Sequence, residues 1–445
     1  AARACYKHGH DPEPEPGGTM VAAAPFRGLR FDPAVVGDHA QVTAPPYDVI
    51  SPEARDAYEA QSPYNVVRLI LARPGPDDDP GAGSDGAIGY RHAARLLAAW
   101  QAEGVLRRDP SPSLYIYEET YTLRGARRVQ RGVLASVALD DTGSWVVPHE
   151  RTMAAPVADR LRLLEATEVN LSPVFGVYAG EGGPAAVLDD VTMTEPALDC
   201  ADEIGVRHRL WVVDDPERIA AWRERMAGQR VLIADGHHRY RTSLAYRDAV
   251  RAANGGRPGP WDELLMFLVD ADLHGPAVLA IHRLLADVDG AGVLAGLEGD
   301  FDARPVASPG QAEEELGRLP EEAVAFGLYA GGRSWLLVAR DPAALAAEAG
   351  RDRRMLDVEV LHGPVLSKRL GVSDFEGRVV YESDLTAAVA AVDNGTAASL
   401  IILRPAPFAT VAEIAAGGET LPQKTTFFYP KPRDGLVLRP LEEGP

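Results

Sequence analysis

The sequence predicts an α/β fold with mixed sheets, and three observations predict it. Short apolar runs of strand length, at 231–234 and 264–269, alternate along the chain with stretches of helical length punctuated by Pro, Gly and Asp. Two runs at 114–121 and 129–140 flank a basic turn at Arg124 to Arg128, the pattern of an antiparallel hairpin. With 445 residues, 46% of them hydrophobic and 25% charged, the chain can bury a core large enough for about two or three domains.

Residues 1–19 carry Cys5, His8, His10 and a run of acids and prolines, without the apolar core of a secretory signal. They are read as a disordered extension outside the fold, with Met20 opening the globular part. A helix is expected to begin at Ser51-Pro52, where Ser is a natural N-cap and Pro a natural first helical residue; Asp48 stands just before it. The Pro/Gly/Asp-rich stretch 73–89 reads as a solvated loop, and 90–104 as a helix.

After the hairpin, a strand at 145–147 ends at Pro148, so His149, Glu150 and Arg151 stand at a strand end, ahead of a helix with Pro156 in its first turn. A strand at 209–213, a helix at 216–227 and a strand at 231–234 give a βαβ order, followed by a second helix. Buried strands are expected at 264–269 and 277–281, then a domain boundary near 285. The last third reads as a helix at 311–319, a hairpin over 324–340 turning at Gly331-Gly332, a helix at 358–370 and a strand at 399–403. The expected division is a core domain over 20–285 and a C-terminal α/β domain over 286–445.

Composition narrows the functional classes. No apolar run approaches the roughly 18 to 20 residues that a membrane helix needs. Cys200 is the only cysteine outside the first nineteen residues, which excludes an intramolecular disulfide or a cysteine-based zinc site in the body and points to a reducing, cytoplasmic setting. A net charge of −20 without a long Lys/Arg run favours a small-molecule partner over nucleic acid. Oligomeric state is not legible.

The segment Val231-Leu-Ile-Ala-Asp-Gly-His-His-Arg-Tyr240 runs a buried strand through Asp-Gly straight into a long amphipathic helix. The first amides of a helix lack intrahelical acceptors and sit at the positive end of its dipole, so phosphate binds there readily. Gly236 permits close approach, Arg239 offers a planar fork, and His237 and His238 offer donors or a proton-transfer group. Asp235 can cap the helix or bind a metal. One zinc ion held by both histidines is disfavoured, because consecutive helical residues point about 100° apart. Two acids outside this turn, Asp48 after Pro45-Pro46-Tyr47 and Glu150 at its strand end, are candidates for general base, and the residues alone do not choose between them. Asp159 and Arg160 read as an exposed helix face or as site residues, and Lys424, Thr425 and Thr426 as phosphate contacts or an ordinary surface strand. The aromatic run Phe427 to Tyr429 reads as packing, since no basic stripe surrounds it.

Asp235-Gly-His-His-Arg-Tyr240 resembles the phosphate-binding motif of the ParB/sulfiredoxin superfamily, which includes partition CTPases, sulfiredoxin and free-serine kinases. His237 stands where sulfiredoxin has its cysteine, so the resemblance does not extend to sulfinic-acid repair, which needs a thiolate. The wider chain resembles one family of that superfamily, domain of unknown function 1015. Its landmarks are Pro25-Phe-Arg-Gly-Leu-Arg30, Ala44-Pro-Pro-Tyr-Asp-Val-Ile50, Pro148-His-Glu-Arg-Thr152, Asp159-Arg-Leu161, Leu171-Ser-Pro-Val-Phe175, the Asp-Gly-His-His-Arg segment and Pro422-Gln-Lys-Thr-Thr-Phe-Phe-Tyr-Pro-Lys431.

This resemblance implies a ParB/sulfiredoxin-like nucleotide-binding core with an elaborated N-terminal region. By analogy with the serine kinases it implies phosphoryl transfer from a nucleotide (ADP or ATP, with Mg²⁺) to a small hydroxyl-bearing metabolite, free serine being the first to try. Gly236, His237, His238 and Arg239 would then hold phosphates with Lys424, Asp235 would orient them or Mg²⁺, and Asp48 or Glu150 would act as base. The alternatives are a nucleotide-sensing protein without turnover and a phosphohydrolase.

Overall fold

A computed structural model describes residues 23–75, 78, 87–150, 152–350 and 355–441. The N-terminal extension, Arg151 and most of the expected loop over 73–89 lie outside the described residues.

Two sheets organise the chain. The first is mixed and has nine strands. Its path runs from Val146–Val147 through Val231–Asp235, Val174–Tyr178, Glu263–Asp270, Ala126–Ala138, Leu114–Leu123 and Arg207–Val213 to Leu198–Ala201, while Ala23–Ala24 pairs beside Ala126–Ala138. The expected hairpin is its middle, turning at Arg124 and Gly125, both at positive φ. The second sheet has six strands, all antiparallel, in the order Phe301–Val306, Arg333–Ala339, Ala325–Ala330, Ser399–Ile402, His282–Leu285 and Val379–Glu382.

The βαβ order takes a form that the sequence does not announce. Arg207–Val213 and Val231–Asp235 are joined by the helix Pro216–Met226, but Val174–Tyr178, Glu263–Asp270, Ala126–Ala138 and Leu114–Leu123 lie between them in the sheet. Val231–Asp235 instead pairs parallel with Val146–Val147 and antiparallel with Val174–Tyr178. Its four apolar residues are buried, as expected of a strand covered on both faces.

Local capping chemistry sets the helix starts. Ser51 accepts the Ala54 N–H at the head of Pro52–Gln61, and Asp215 accepts those of Glu217 and Arg218 at the head of Pro216–Met226. Ala154–Thr167 and His237–Ala253 pack together. The Tyr240 hydroxyl, bonded to the Asp140 backbone, ties the latter helix to the sheet. The expected helix over 358–370 is a short α-helix, Asp357–Val360, continued by a π-helical run, Leu361–Arg369, that contains Pro364. Proline has no N–H for the helical ladder, which accounts for the departure from α geometry there.

One hydrophobic core joins the two sheets: Tyr117, Phe175 and Phe267 of the first and Phe326 and Leu328 of the second belong to a single cluster with Phe428 and Val437. The chain passes to the second sheet near the expected boundary, but its last residues return. Phe427–Tyr429 pairs with Ala277–Leu279, Arg439–Pro440 pairs with Val169–Asn170, and Asp434 bridges Ala44. A division at residue 285 therefore leaves the segment from Leu421 to Leu441 packed with the part before it.

Candidate functional site

Strand Val231–Asp235 ends in an irregularity. Its register against Val174–Tyr178 shifts between Ile233 and Asp235, which re-aims the last side chain. Gly236 follows at φ +93°, a conformation that a side chain resists, and turns the chain into the helix His237–Ala253. No side-chain hydrogen bond caps this 17-residue helix. Its first residues line a cleft of about 220 Å³, into which Tyr47, Asp48, Glu150, Gln423 and Lys424 also face.

Two segments distant in sequence close the cleft. Tyr47–Val49 forms a 3₁₀ turn after Pro46 and places Asp48 on one rim. On the other, the Leu421 N–H donates to the His149 carbonyl (2.9 Å) and Glu150 bridges Leu421, so the C-terminal segment lies along the end of Val146–Val147 and brings Lys424 over Glu150. Arg283, at the head of His282–Leu285 in the second sheet, holds that segment by donating to the Lys424 carbonyl (2.8 Å).

Lys431 organises the acids. Its ammonium lies 2.8 Å from Asp48 Oδ2 and 2.7 Å from Asp235 Oδ1. Arg239 Nη2 takes the other Asp235 oxygen at 2.6 Å. Burial alone would push the Asp235 carboxyl up, but Lys431 and Arg239 outweigh it and hold it below the usual carboxylate range. Asp235 is therefore neither a helix cap nor a metal ligand as placed, because both its oxygens are engaged by cations. Among the described residues no group of three His, Cys, Asp or Glu side chains is arranged to hold a metal ion. Among the described residues, Asp235 as placed leaves no oxygen free for Mg²⁺.

Arg239 lines the cleft, yet the residue is only 9% exposed, and its guanidinium donates to the Pro173 carbonyl as well as to Asp235. It braces the turn rather than presenting an open fork. His237 Nε2 accepts the His149 N–H (3.4 Å) and His238 Nε2 accepts the Met153 N–H (3.1 Å), so each ring is engaged by backbone through that nitrogen. Burial, then neighbouring His149, His238 and Arg239, hold His237 well below the ordinary imidazole range and keep it uncharged.

Glu150 differs from the other acids. Burial pushes its carboxyl up to about 7, against the opposing pull of Lys424, with Asp235 adding to the rise. It forms no ion pair among the described residues, whereas Asp48 has Lys431. Lys424 is exposed, with backbone φ of +57°, and its ammonium likewise makes no ion pair among the described residues. A second hollow, of about 810 Å³, shares Glu150 and His237 with the cleft and opens along Asp140 to Gly143 and residues 415–420. Glu150 thus stands in the wall between two spaces.

The remaining sequence candidates fall behind the cleft. Arg160 lies 4.4 Å from the Tyr47 ring centroid and also holds Asp159, whose other oxygen takes the Tyr90 hydroxyl. Arg160 braces Tyr47 and is mostly buried, while the Asp159 side chain stays 44% exposed. The Thr425 hydroxyl donates to the Pro422 carbonyl (2.6 Å) and Thr426 pairs with His149 (3.1 Å), so both hydroxyls turn inward. Phe428 packs in the core, as read. Sequence reasoning did not single out Lys431 or Asp434. The latter is fully buried, bonded to Ser172 (2.7 Å), and raised to about 7 by burial despite Arg239. Its signal was present only as a Lys-Pro-Arg-Asp run of charges beside prolines.

Residues 23–360 match the model of a family described as a protein of unknown function (DUF1015). No curated protein matches the chain. Among solved structures, a free serine kinase in complex with AMP is similar at 15% identity and a TM-score of 0.33, over 63% of this chain and 83% of that one. A conserved hypothetical protein from Pyrococcus furiosus is similar at 16% and 0.33, over 67% and 90%. SbnI from Staphylococcus aureus, truncated at its C-terminus, is similar at 10% and 0.35, over 69% and 87%. Likeness at this level carries no argument about ligand or reaction. No described helix is long and apolar enough to cross a membrane.

Proposed function

The chain belongs to the DUF1015 family, and on that footing we propose that its cleft takes nucleotide phosphates and passes a phosphoryl group to the hydroxyl of a small metabolite in the cytoplasm. The observation that carries this reading is the uncapped start of His237–Ala253, facing Lys424 across a cleft whose wall contains Glu150. The helix amides and the Lys424 ammonium would neutralise charge on the transferring group, the main demand of phosphoryl transfer. We read the turn from Val231 to Tyr240 as the phosphate turn of the ParB/sulfiredoxin superfamily.

Glu150 fits the base better than Asp48. A carboxyl near 7 is ionised in a useful fraction at neutral pH and basic enough to accept a proton. In the proposed step the acceptor hydroxyl, entering from the larger hollow, gives its proton to Glu150. Its oxygen bonds to the terminal phosphorus of ATP, and the bond from that phosphorus to ADP breaks. Arg239, Lys431 and Asp235 position the turn. Free serine is the first acceptor to try. Mg²⁺, where required, would come with the nucleotide rather than from a site on the protein.

A nucleotide sensor without turnover is the second reading, favoured by one contact: Arg283 ties the Lys424 carbonyl to the second sheet, so occupancy would be felt there. Thermal-shift measurements with ADP, ATP and CTP test binding, and phosphorus NMR with and without serine tests transfer. Phosphoserine accumulation supports the kinase reading, inorganic phosphate alone a phosphohydrolase, and stabilisation without new resonances a sensor. No stabilisation by any nucleotide removes all three.

A further inference from the structure

The larger hollow, of about 810 Å³, falls within the size range of ligand pockets, about 300 to 1,000 Å³. One stripe of the helix His237–Ala253 lines it: His237, Tyr240, Arg241 and Leu244, at the i, i+3, i+4, i+7 spacing of a single face. Glu150 lies in the wall that the hollow shares with the phosphate cleft.

Among the described lining residues Arg241 is the only lysine or arginine. It is exposed, and its guanidinium makes no hydrogen bond or ion pair among the described residues. The acids beside it are already taken. Asp140 receives the N–H groups of Thr142 (2.8 Å), Trp145 (2.8 Å) and Val146 (3.2 Å), and Arg247 holds Asp141 at 3.1 Å. The charges that act most on Glu150, Lys424 and Asp235, belong to the cleft side of the wall. The hollow therefore offers one accessible cation that no acid of the protein neutralises.

We infer that the acceptor carries a carboxylate as well as its hydroxyl and that Arg241 receives that carboxylate, as a specificity-determining residue. This rests on the hollow being the acceptor's side of the site. A planar guanidinium fork matches a carboxylate through two parallel hydrogen bonds. Arg241 follows His237 by one helical turn, about 5 to 6 Å, and His237 stands in the wall with Glu150. A small hydroxy acid, its hydroxyl at Glu150 and its carboxylate at Arg241, spans a gap of that order. The carboxylate takes no part in the transfer; holding it fixes which hydroxyl reaches Glu150.

Calorimetric titration of the full chain with D-glycerate, and with glycerol as its uncharged counterpart, tests this without nucleotide. D-glycerate binds saturably and at least about tenfold more tightly than glycerol, the scale of a charge-assisted hydrogen bond. A net charge of −20 repels anions, so such a preference reports a local cation. Arg241→Gln removes the preference and Arg241→Lys keeps part of it; the position is exposed on its helix, so both variants fold. Equal affinity for the two compounds, no saturable binding of either, or a preference that survives Arg241→Gln overturns the inference. Thermal shift with ATP, measured alongside, keeps the two readings apart. A glycerate preference through Arg241 without stabilisation by ATP upholds the carboxylate site and removes phosphoryl transfer, whereas stabilisation by ATP without that preference removes only the role of Arg241.

Discussion

At the scale of single residues, the acids of the cleft are sorted by what neutralises them. Asp48 and Asp235 share Lys431, whereas Glu150 is held in a desolvated wall and makes no ion pair among the described residues. If Glu150 is the base, turnover needs its ionised form, so the rate falls towards tenfold per pH unit below about 7 and levels off above it. A kcat profile of phosphoryl transfer checks this, and one that stays flat from about pH 5.5 to 8 rejects Glu150 as base. Glu150→Gln should lower kcat by about 10²- to 10⁴-fold. Lys431 makes a different prediction. Lys431→Met leaves two carboxylates facing each other with one cation removed from a mostly buried bridge, a loss of about 3 kcal/mol. Urea unfolding measures it, and a loss below about 1 kcal/mol would show the bridge to be solvated.

At the scale of elements, the strand–turn–helix from Val231 to Ala253 was legible because every signal for it is local. Four apolar residues, Asp-Gly and a helical period follow one another without a gap, and the structure keeps that order. The same is true of the hairpin turning at Arg124-Gly125 and of the Ser51 cap. What lies across the turn was not legible, since Lys431 meets Asp48 from 383 positions away and no periodicity encodes such a meeting. Strand order was hidden for the same reason: Val231–Asp235 takes Val146–Val147 and Val174–Tyr178 as neighbours, not the strand that precedes it in sequence. Arg239 was read as a ligand fork because its place in the first turn of the helix was visible, while the Pro173 carbonyl that receives it was not. The turn itself yields a test. A Cβ at Gly236 would lie 3.0 Å from Arg239 Nε, and φ of +93° is strained for any L side chain. Gly236→Ala should cost about 1 to 3 kcal/mol in denaturant unfolding and reduce nucleotide-induced thermal stabilisation. A variant as stable as the parent, with undiminished stabilisation, would mean that the turn tolerates displacement and does not approach a ligand closely.

At the scale of the whole molecule, the buried ionisable groups set how stability follows pH. Burial raises three carboxyls, Glu119 to about 8 and Glu150 and Asp434 to about 7. Each binds its proton more tightly folded than unfolded. Its stabilising contribution is complete below the unfolded carboxyl range and disappears as pH rises through about 7 to 8. The buried histidines act in the opposite sense. Burial lowers His149 and His282 to about 4 and His362 to about 3, with His237 depressed as well, so their contribution is complete above about 6.5 and is lost as pH falls. Above the histidine range only the carboxyls still titrate, and below it the histidines outweigh them, so Tm should peak near pH 6.5, roughly where the two effects cross. Scanning calorimetry from about pH 5 to 8.5 should show Tm declining on the alkaline side, with the decline reduced in a Glu119→Gln, Glu150→Gln double variant because neither amide has a proton to lose. A Tm that rises between about pH 6.5 and 8.5, or an alkaline slope that the double variant leaves untouched, would mean that these carboxyls reach solvent and that their surroundings are not as dry as the packing implies.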